Sequence, residues 1–407
     1  MQAVLSSLRA AFTPRSRSPL ILAAIAKNEM AAVHEWTAWH RLQGFDRLAV
    51  VDNGSTDGTA EYLEALAQLG LCELLHIGKC DRFQVVAYER LLGLPGSKDA
   101  VLCFVDLDEF VVSEAPGRTA GTLLRKAFAR RKVGAVGMHW RLFGSNGHVE
   151  AGAEPVTQRF MTHASDTQRS INMHIKTAVR ASACSKFFVH NALLAEGYQY
   201  LNGALQEAQF VDHPHKKNPV RHATAFASPI GGALRVHHYV IKSRAEYEAK
   251  VARRSAESAI PLNWDAPGFF KAHDINDDRC ELMLAHSDEL QAAMAGLDRQ
   301  LREGSHFHLQ VRGAVDAVSP RGVVGWLADA AADDPATLSV KIYVNGHWQG
   351  QCVADLQRPD LVKAGVSRSG RAGFHFRFDA PLQAGDVVHV RACANPTALA
   401  RDTHVIA

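Results

Sequence analysis

Residues 103–112 read CFVDLDEFVV, and this stretch decides how the fold is interpreted. One apolar run ends at Asp106, Asp108 and Glu109, and a second apolar run follows them. Burying carboxylates is costly unless a cation, a proton or hydrogen-bond donors compensate the charge. The stretch therefore marks the end of a buried strand at which some form of compensation is required.

Apolar segments alternate with segments of helical spacing over the first hundred residues. The pattern predicts strands over residues 20–25, 48–51, 72–77 and 100–106, and helices over residues 29–42, 59–69 and 84–92. Strands that are apolar throughout and separated by helices are typical of a parallel sheet covered on both faces. We expect an α/β fold with a mostly parallel sheet.

Polar residues follow three of these strands. In parallel sheets ligands bind beyond the carboxyl ends of the strands, so these positions are expected to converge on one crevice. They are Lys27-Asn28-Glu29, Asp52-Asn53 and Asp106-Leu107-Asp108. The alternative for the last group is an acidic strand-to-loop junction without a ligand. Its place at the end of a central strand favours the ligand.

Two carboxylates that are two residues apart on an extended segment project to the same side. Asp106 and Asp108 can then face one ligand, while Leu107 points into the core. A hard divalent cation would relieve the repulsion between them and could bridge to a diphosphate leaving group. Glu109 gains no such role from its position.

The first strand is followed by Ala26-Lys27-Asn28-Glu29 and not by a G-x-G-x-x-G turn. A dinucleotide is therefore not expected, and a mononucleotide held at its base and ribose, with Asp52 near the ribose, fits better. The alternative for residues 52–58 is a plain turn before a helix, capped by Ser55 or Asp57. The two interpretations are compatible.

The rest of the chain divides in two. Residues 121–131, 244–254 and 281–303 are predicted helices, and residues 134–140 and 234–241 are predicted strands. From residue 308 short alternating segments and the hairpin signal Asn345-Gly346 predict an all-β sandwich. The expected domains are a flexible leader (1–19), the α/β domain (20–280), a helical connector (281–307) and the β-domain (308–407).

Composition excludes some classes of protein. The 45 basic and 42 acidic residues give a net charge of +3, too balanced for nucleic acid as the main partner. No apolar run is long enough to span a bilayer. The seven cysteines include no CxxC pair, which fits a reducing cytoplasm. A minority alternative is that Arg9, Arg15 and Arg17 contact the inner face of a membrane.

Several ordered motifs resemble those of GT-A-fold glycosyltransferases of the family-2-like and family-92-like groups. The resemblance covers roughly residues 20–280. The motifs are Ala26-Lys27-Asn28-Glu29, Glu35-Trp36-x-x-Trp39-His40-x-x-x-Gly44, Asp52-Asn53-Gly54-Ser55-Thr56-Asp57-Gly58, Asp106-Leu107-Asp108-Glu109-Phe110, His139-Trp140-x-x-Phe143-Gly144-Ser145 and His238-Tyr239-x-x-Lys242-Ser243-x-x-x-Tyr247-x-x-Lys250.

The resemblance implies a UDP- or GDP-linked sugar donor and a divalent metal, Mn²⁺ or Mg²⁺. The implied metal ligands are Asp106, Asp108 and His238, the last because such enzymes place a histidine downstream. The implied donor-binding residues are Lys27, Asn28, Glu29, Asp52, Asn53, Asp106 and Lys242. On a strand His237 and His238 face opposite ways, so at most one serves the crevice, and a packed structural histidine is the alternative.

An inverting transferase also needs a base that deprotonates the acceptor hydroxyl. The short Glu-Asp pair of many family-2 enzymes is absent, so the base stays open, with Glu207 and Asp212 as candidates. The segment with His213, His215 and His222 invites a zinc interpretation, but acceptor-loop or surface histidines are preferred.

The C-terminal segment resembles the small β-domain appended to several bacterial glycosyltransferases. Trp326 and Trp348 would suit stacking on sugars, but buried sandwich aromatics are the preferred interpretation. We expect a metal-dependent, inverting hexosyltransferase that acts on a glycan or lipid-linked acceptor in surface polysaccharide biosynthesis. One alternative is a non-catalytic nucleotide-sugar or glycan-binding protein. Another is a nucleotidyltransferase, but such an enzyme should carry a Gly-rich basic loop after the first strand, and Lys27 alone is a poor substitute for that loop.

Overall fold

The computed structural model describes residues 18–55, 57–77, 83–167, 170–210, 230–257, 268–305, 307, 311–329, 338–395 and 399–407. These residues form two compact units. The first takes in residues 1–24, 40–48 and 81–282, and the second takes in residues 25–39, 49–80 and 283–407, each where described. The expected leader lies outside the described residues except for its last two positions, and the predicted domain boundaries stay a prediction.

The strands of the α/β part number thirteen among the residues described. They are β1 (Leu20–Ala26), β2 (Arg47–Asp52), β3 (Cys72–His76), β4 (Val101–Phe104), β5 (Glu109–Ser113), β6 (Val133–Leu142), β7 (Thr162–His163), β8 (Ile175–Arg180), β9 (Cys184–Phe187), β10 (Ala192–Leu194), β11 (Gln199–Leu201), β12 (Leu234–His238) and β13 (Asp278–Arg279).

Six of the eight helices described in the same part of the chain correspond to predicted ones, and the two short helices over residues 156–159 and 269–273 were not predicted. The eight helices are α1 (Met30–Leu42), α2 (Thr59–Gln68), α3 (Phe83–Leu92), α4 (Ala120–Phe128), α5 (Val156–Arg159), α6 (Arg244–Glu257), α7 (Phe269–His273) and α8 (Ser287–Gly304). The predicted connector helix over residues 281–303 begins later than expected, at Ser287. No described helix has the length and apolar character needed to cross a membrane.

The largest sheet has the strand order β3-β2-β1-β4-β8-β6-β12-β5, with β11 beside β6. β1 runs parallel to β4, and β6 runs parallel to β11 and β12. β8 runs antiparallel to both β4 and β6, and β5 runs antiparallel to β12. The predicted α/β class with a mostly parallel central sheet is confirmed, and the later part of the chain supplies the antiparallel strands.

β4 is shorter than the sequence predicts. The strand ends at Phe104, and residues 106–109 form a turn in which the Glu109 N–H donates to the Asp106 carbonyl at 3.1 Å. Asp106 and Asp108 therefore sit in a turn and not on an extended strand end. β5 then returns along β12, with Glu109 opposite His238, and the Tyr239 N–H donates to the Asp108 carbonyl at 2.9 Å. This pairing fixes the acidic turn against β12.

The C-terminal strands form two antiparallel-rich sheets, as the sandwich prediction requires. One has the order β18-β19-β15-β14-β21 and the other β17-β16-β20-β22. The elements are β14 (Val311–Ser319), β15 (Gly322–Asp329), β16 (Ser339–Val344), β17 (His347–Val353), β18 (Leu356–Gln357), α9 (Pro359–Lys363), β19 (Arg371–Arg377), β20 (Val387–Ala392), β21 (Leu399–Ala400) and β22 (Thr403–Val405). Their shared core includes Val340, Ile342, Phe374, Val388 and Val390.

The N-terminus of α4 packs against the end of α1 through a glycine. The Gly121 N–H donates to the Gln43 carbonyl at 2.8 Å, and the Ala120 N–H donates to the Gln43 side chain at 2.9 Å. A Cβ added at Gly121 would lie 2.5 Å from the Gln43 carbonyl oxygen and 2.8 Å from that of Gly44. The close approach therefore requires glycine.

We expect Gly121→Ala to lower the free energy of unfolding by about 2 kcal/mol, because two backbone segments must separate to admit the methyl group. Urea denaturation monitored by circular dichroism measures this. Gly296→Ala is the matched control, because Gly296 lies inside α8 with no atom within 4 Å of its added Cβ. That variant should gain about 0.5–1 kcal/mol, and a Gly121→Ala variant as stable as the wild type would contradict the account.

Candidate active site

The turn between β4 and β5 brings three acids together with very different exposures. The side chain of Asp106 is 39% exposed, that of Asp108 is 5% exposed and that of Glu109 is fully buried. Leu107 is 2% exposed, which confirms its predicted place in the core. Asp106 is the most exposed of the three, and the other two need compensation inside the protein.

Lys176 provides the first counter-charge. It projects from β8, its side chain is 1% exposed, and its ammonium donates to Asp106 at 2.7 Å. The same ammonium lies 3.3 Å from Glu109. Burial opposes its ionisation, but the two carboxylates hold the pKa of Lys176 well above its usual value. A permanent buried cation thus serves two acids at once.

Lys250 provides the second counter-charge, from α6. Its ammonium donates to Asp108 at 2.8 Å and to the Val240 carbonyl at 3.3 Å. Burial opposes ionisation of Asp108, but Lys250, with smaller contributions from His238 and Lys242, holds the pKa of Asp108 well below its usual range. Asp108 therefore keeps its charge, and Lys242, a predicted donor-binding residue, is one of the cations around it.

Glu109 is held differently from its neighbours. One carboxylate oxygen accepts the Asp106 N–H at 2.9 Å, so Glu109 braces the turn from within. Burial, with Asp106 and Asp108 acting in the same direction, raises the pKa of Glu109 to about 8 against the opposing effect of Lys176. At neutral pH Glu109 is mainly protonated. It is a structural residue of the site.

His238 lies beside Asp108 in a neutral state. Its Nε2 is 3.6 Å from Asp108 and its Nδ1 is 3.9 Å from Glu109. Burial lowers the pKa of His238 to about 4, although Asp108 acts in the opposite direction. Both ring nitrogens are buried, and neither has a hydrogen-bond partner among the described residues. The ring packs on Trp140, with the centroids 4.4 Å apart.

The residues around Asp108 fit a divalent cation in part. A neutral imidazole with an unsatisfied nitrogen beside an ionised carboxylate is a suitable pair of ligands for Mn²⁺ or Mg²⁺. Asp106, the third predicted ligand, is paired with Lys176. Within the described ranges no cluster of three or more His, Cys, Asp or Glu side chains is arranged to hold a metal. The expected repulsion between the two aspartates is relieved by lysines in this structure, so it gives no separate reason for a metal.

His237 points away from the acidic turn, as strand alternation requires. Its ring packs on Phe143 with centroids 4.8 Å apart, and its pKa falls well below the usual value because it is buried near Arg141 and Arg235. The prediction that only one of the two histidines serves the site is therefore consistent with the geometry.

The predicted donor-binding residues of the first two loops lie in the second unit. Asp52 is 3% exposed, and its carboxylate accepts the backbone N–H groups of Gly54 at 2.9 Å and Ser55 at 3.1 Å. This is the turn that the alternative interpretation proposed. Asn53 is partly exposed, and its N–H donates to the Ala26 carbonyl. The binding roles of Asp52 and Asn53 stay predictions.

The start of α1 is tied to the loop after β2. The N–H groups of residues 28, 29 and 30 donate to the side chains of Ser55, Thr59 and Asp57 at 3.0, 2.9 and 3.0 Å. Asn28 adopts a positive φ of 55° to make this connection. These donors are engaged within the protein, so the N-terminus of α1 does not offer the phosphate site of a dinucleotide-binding fold. Donor binding by Lys27, Asn28 and Glu29 stays a prediction.

The two candidate bases are not brought together with the acidic turn. Glu207 is exposed and follows β11, where residue 207 bridges to Leu201. Asp212 lies outside the described residues, as do His213, His215 and His222 of the zinc alternative. The identity of the base stays a prediction.

Sequence reasoning missed the most buried charge of the site. Lys176 lies in residues 145–232, which showed no clear periodicity, and nothing local distinguishes it from a solvated lysine. Its strand, Ile175–Arg180, also contains Thr177 and Arg180, so the local pattern does not show that the lysine is buried. From the sequence, Lys250 was identified only as the last residue of the His238–Lys250 motif and was assigned no role in the site.

The comparisons with known proteins concern the class of protein. No family profile matches the chain. A glycosyltransferase family 92 protein of rice (Oryza sativa subsp. japonica) is 22% identical over 192 residues, which are 46% of this chain and 32% of that protein. The chain thus spans about a third of the length of this relative. The match confirms the resemblance to GT-A-like glycosyltransferases.

Solved structures give weaker similarities. S. aureus TarS matches with 10% identity and a TM-score of 0.31, over 95% of this chain and 77% of that one. TarS residues 1–349 in complex with UDP-GlcNAc match with 13% identity and a TM-score of 0.30, over 70% and 73% of the two chains. At these TM-scores the similarity does not define the fold, which is described by its own strand order.

Lys176→Met should lower the free energy of unfolding by about 3 kcal/mol, because it removes the buried cation that pairs with Asp106. Urea denaturation measures the loss, and Lys98→Met, at an exposed lysine before β4, should change stability by less than about 0.5 kcal/mol. Adding Glu109→Gln to Lys176→Met should restore little of the loss at neutral pH, because Glu109 is already mainly protonated there. Equal losses at positions 176 and 98 would refute the assigned role.

Glu109→Gln should become more stable relative to the wild type as the pH rises. The pKa of Glu109 is about 8 in the folded state and about 4.3 in the unfolded chain. Between these values the folded protein holds one more proton, so wild-type stability falls by up to about 1.4 kcal/mol per pH unit from this group. Urea denaturation in metal-free buffer at pH 5, 6.5 and 8 tests this, and a constant difference would contradict it.

Proposed function

We propose that this chain is a glycosyltransferase that takes a sugar from a nucleotide-sugar donor. The observation that carries the proposal is the pairing of ionised Asp108 with the neutral, unsatisfied imidazole of His238 at 3.6 Å. Keeping such a pair buried has a free-energy cost that packing alone does not explain. The similarity to a family 92 glycosyltransferase supports the same class of reaction.

The positive charges around the turn suit a nucleoside diphosphate. Lys250 lies against Asp108, and Lys242 contributes to the field at the same carboxylate. We propose that these ammonium groups bind the diphosphate oxygens and stabilise the charge that develops on the leaving group. Asp106, the most exposed acid, would orient the donor through hydrogen bonds to its hydroxyl groups. Lys27, Asn28, Glu29, Asp52 and Asn53 remain the proposed contacts to the nucleoside.

Asp108 and His238 are the residues that would hold a divalent metal. When bound, Mn²⁺ or Mg²⁺ would supply further positive charge for the diphosphate. Lys250 occupies one oxygen of Asp108, so metal binding and this ion pair are expected to compete. The neutral state of His238 keeps one ring nitrogen available as a ligand at physiological pH.

The acceptor side of the reaction is proposed from chemistry alone. An inverting transfer needs a carboxylate that removes the acceptor proton, and Glu207 and Asp212 remain the candidates. Glu109 is a poor candidate because its side chain is completely buried and its carboxylate accepts the Asp106 N–H. We further propose a hexosyl donor, a glycan or lipid-linked acceptor and a role in surface polysaccharide biosynthesis.

The second candidate function is binding of a nucleotide sugar or glycan without catalysis. The same acids and lysines would hold a donor in either case. The two functions differ in one measurable respect, since a binding protein releases no free nucleotide.

Asp108→Asn should reduce release of nucleotide from UDP- or GDP-sugars by about 100-fold or more, because it removes the charged centre of the site. Turnover is measured by chromatography over a panel of donors, with and without Mn²⁺. Asp99→Asn is the matched control, because Asp99 is exposed at the opposite end of β4. Mn²⁺ binding, followed by calorimetry, should weaken in Asp108→Asn and His238→Ala.

Two outcomes would overturn the proposal. If the wild-type protein binds a donor but releases no nucleotide in the presence of metal and candidate acceptors, catalysis is rejected and the non-catalytic binding function is retained. Undiminished turnover in Asp108→Asn would place the reaction elsewhere in the chain.

A further inference from the structure

The outer face of the sheet β17-β16-β20-β22 is defined by strand register. On β16, Val340, Ile342 and Val344 point into the sandwich core, so Lys341 and Tyr343 point outward. Residues paired in register across antiparallel strands project to the same side. The pairing therefore identifies the side chains that share this outward surface.

One cross-strand row on this face is aromatic. Trp348 pairs with Tyr343, Tyr343 pairs with His389, and His389 pairs with Thr403. Trp348 is 64% exposed, so the preferred interpretation of it as a buried sandwich aromatic is wrong. A β-bulge between Ile342 and Tyr343 shifts the register of β17 and turns the indole outward.

The neighbouring row is basic and polar. Gln351 pairs with Lys341, and Lys341 pairs with Arg391. All three side chains are exposed, and the Arg391 guanidinium lies 6.0 Å from the centre of the Tyr343 ring. No carboxylate occupies an outward position of these paired strands, and Asp402, at the edge, accepts a hydrogen bond from Thr403. The face is therefore positively charged.

We propose that this aromatic–basic face (Trp348, Tyr343, His389, Thr403, Gln351, Lys341 and Arg391) binds an acidic glycan. Flat aromatic rings pack on the apolar faces of sugar rings, and amide and hydroxyl groups satisfy sugar hydroxyls. Arg391 and Lys341 select carboxylated or phosphorylated sugars by charge. Four strands at about 4.8 Å spacing give a row of roughly 14 Å, which suits an oligosaccharide.

The face is distinct from the acidic turn, and the inference does not rest on the proposed transfer reaction. A flat surface with a graded mixture of aromatic, amide and cationic groups differs from the apolar patch expected of a protein interface. Apart from Trp348, the strongly exposed apolar side chains on its outward positions are Val353 and Val405, one on each edge strand. The positive charge and mixed polar character of this face therefore favour an anionic sugar polymer as its ligand and not a second protein.

The test uses the full chain and calorimetric titration at low salt with three probes of matched length. These are an oligogalacturonate, a neutral malto-oligosaccharide and polyglutamate. Trp348→Ala and Arg391→Glu should each weaken oligogalacturonate binding about tenfold. Arg312→Glu is the matched control, because it reverses an exposed strand arginine on the other sheet of the same domain, and it should change binding less than twofold.

The proposal stands if oligogalacturonate binds more tightly than both other probes and only the variants of the aromatic–basic face weaken it. Equal binding of the neutral glycan or of polyglutamate would overturn it, as would equal losses in Arg312→Glu and Arg391→Glu or an absence of binding. Sedimentation of Trp348→Ala tests the main alternative. If the variant loses self-association, the face binds a second copy of the chain and the glycan proposal is overturned. Turnover of nucleotide sugars by these variants should match that of the wild type.

Discussion

The contact between Lys176 and the acidic turn is the interaction on which the site depends. Asp106 and the buried Glu109 can share this turn only because Lys176 lies within hydrogen-bond distance of Asp106 and Glu109 keeps its proton at neutral pH. Lys176 reaches that position because β8 runs antiparallel between β4 and β6. The insertion of this antiparallel strand between β4 and β6 brings the buried cation to the turn.

With that cation in place, the three acids can take different roles. Asp106 stays partly exposed, Asp108 is kept ionised by Lys250, and Glu109 becomes a neutral brace at physiological pH. The difference arises from burial and distance, not from residue type. A site of this kind can present one ionised carboxylate to a ligand while its neighbours hold the backbone.

The sequence predicted those elements whose side chains are buried on a regular period. β1, α1 and α2 agree with their predicted bounds within one or two residues, because their apolar spacing reports directly on the core. The length of β4 was overestimated, because a run of apolar residues does not show where the chain leaves the sheet to turn. Trp348 was assigned to the wrong face because a bulge changes the period locally. Lys176 could not be found, because burial of a lysine depends on partners far away in sequence.

The positions of Lys176 and Lys250 in the sequence also constrain the order in which the protein folds during synthesis. Lys176 is 70 residues downstream of Asp106, and Lys250 is 142 residues downstream of Asp108. While the chain emerges from the ribosome, the acidic turn is complete long before either cation has been synthesised. The N-terminal strands therefore have to wait for distant segments before that end of the sheet can close, which makes this region a late step in folding.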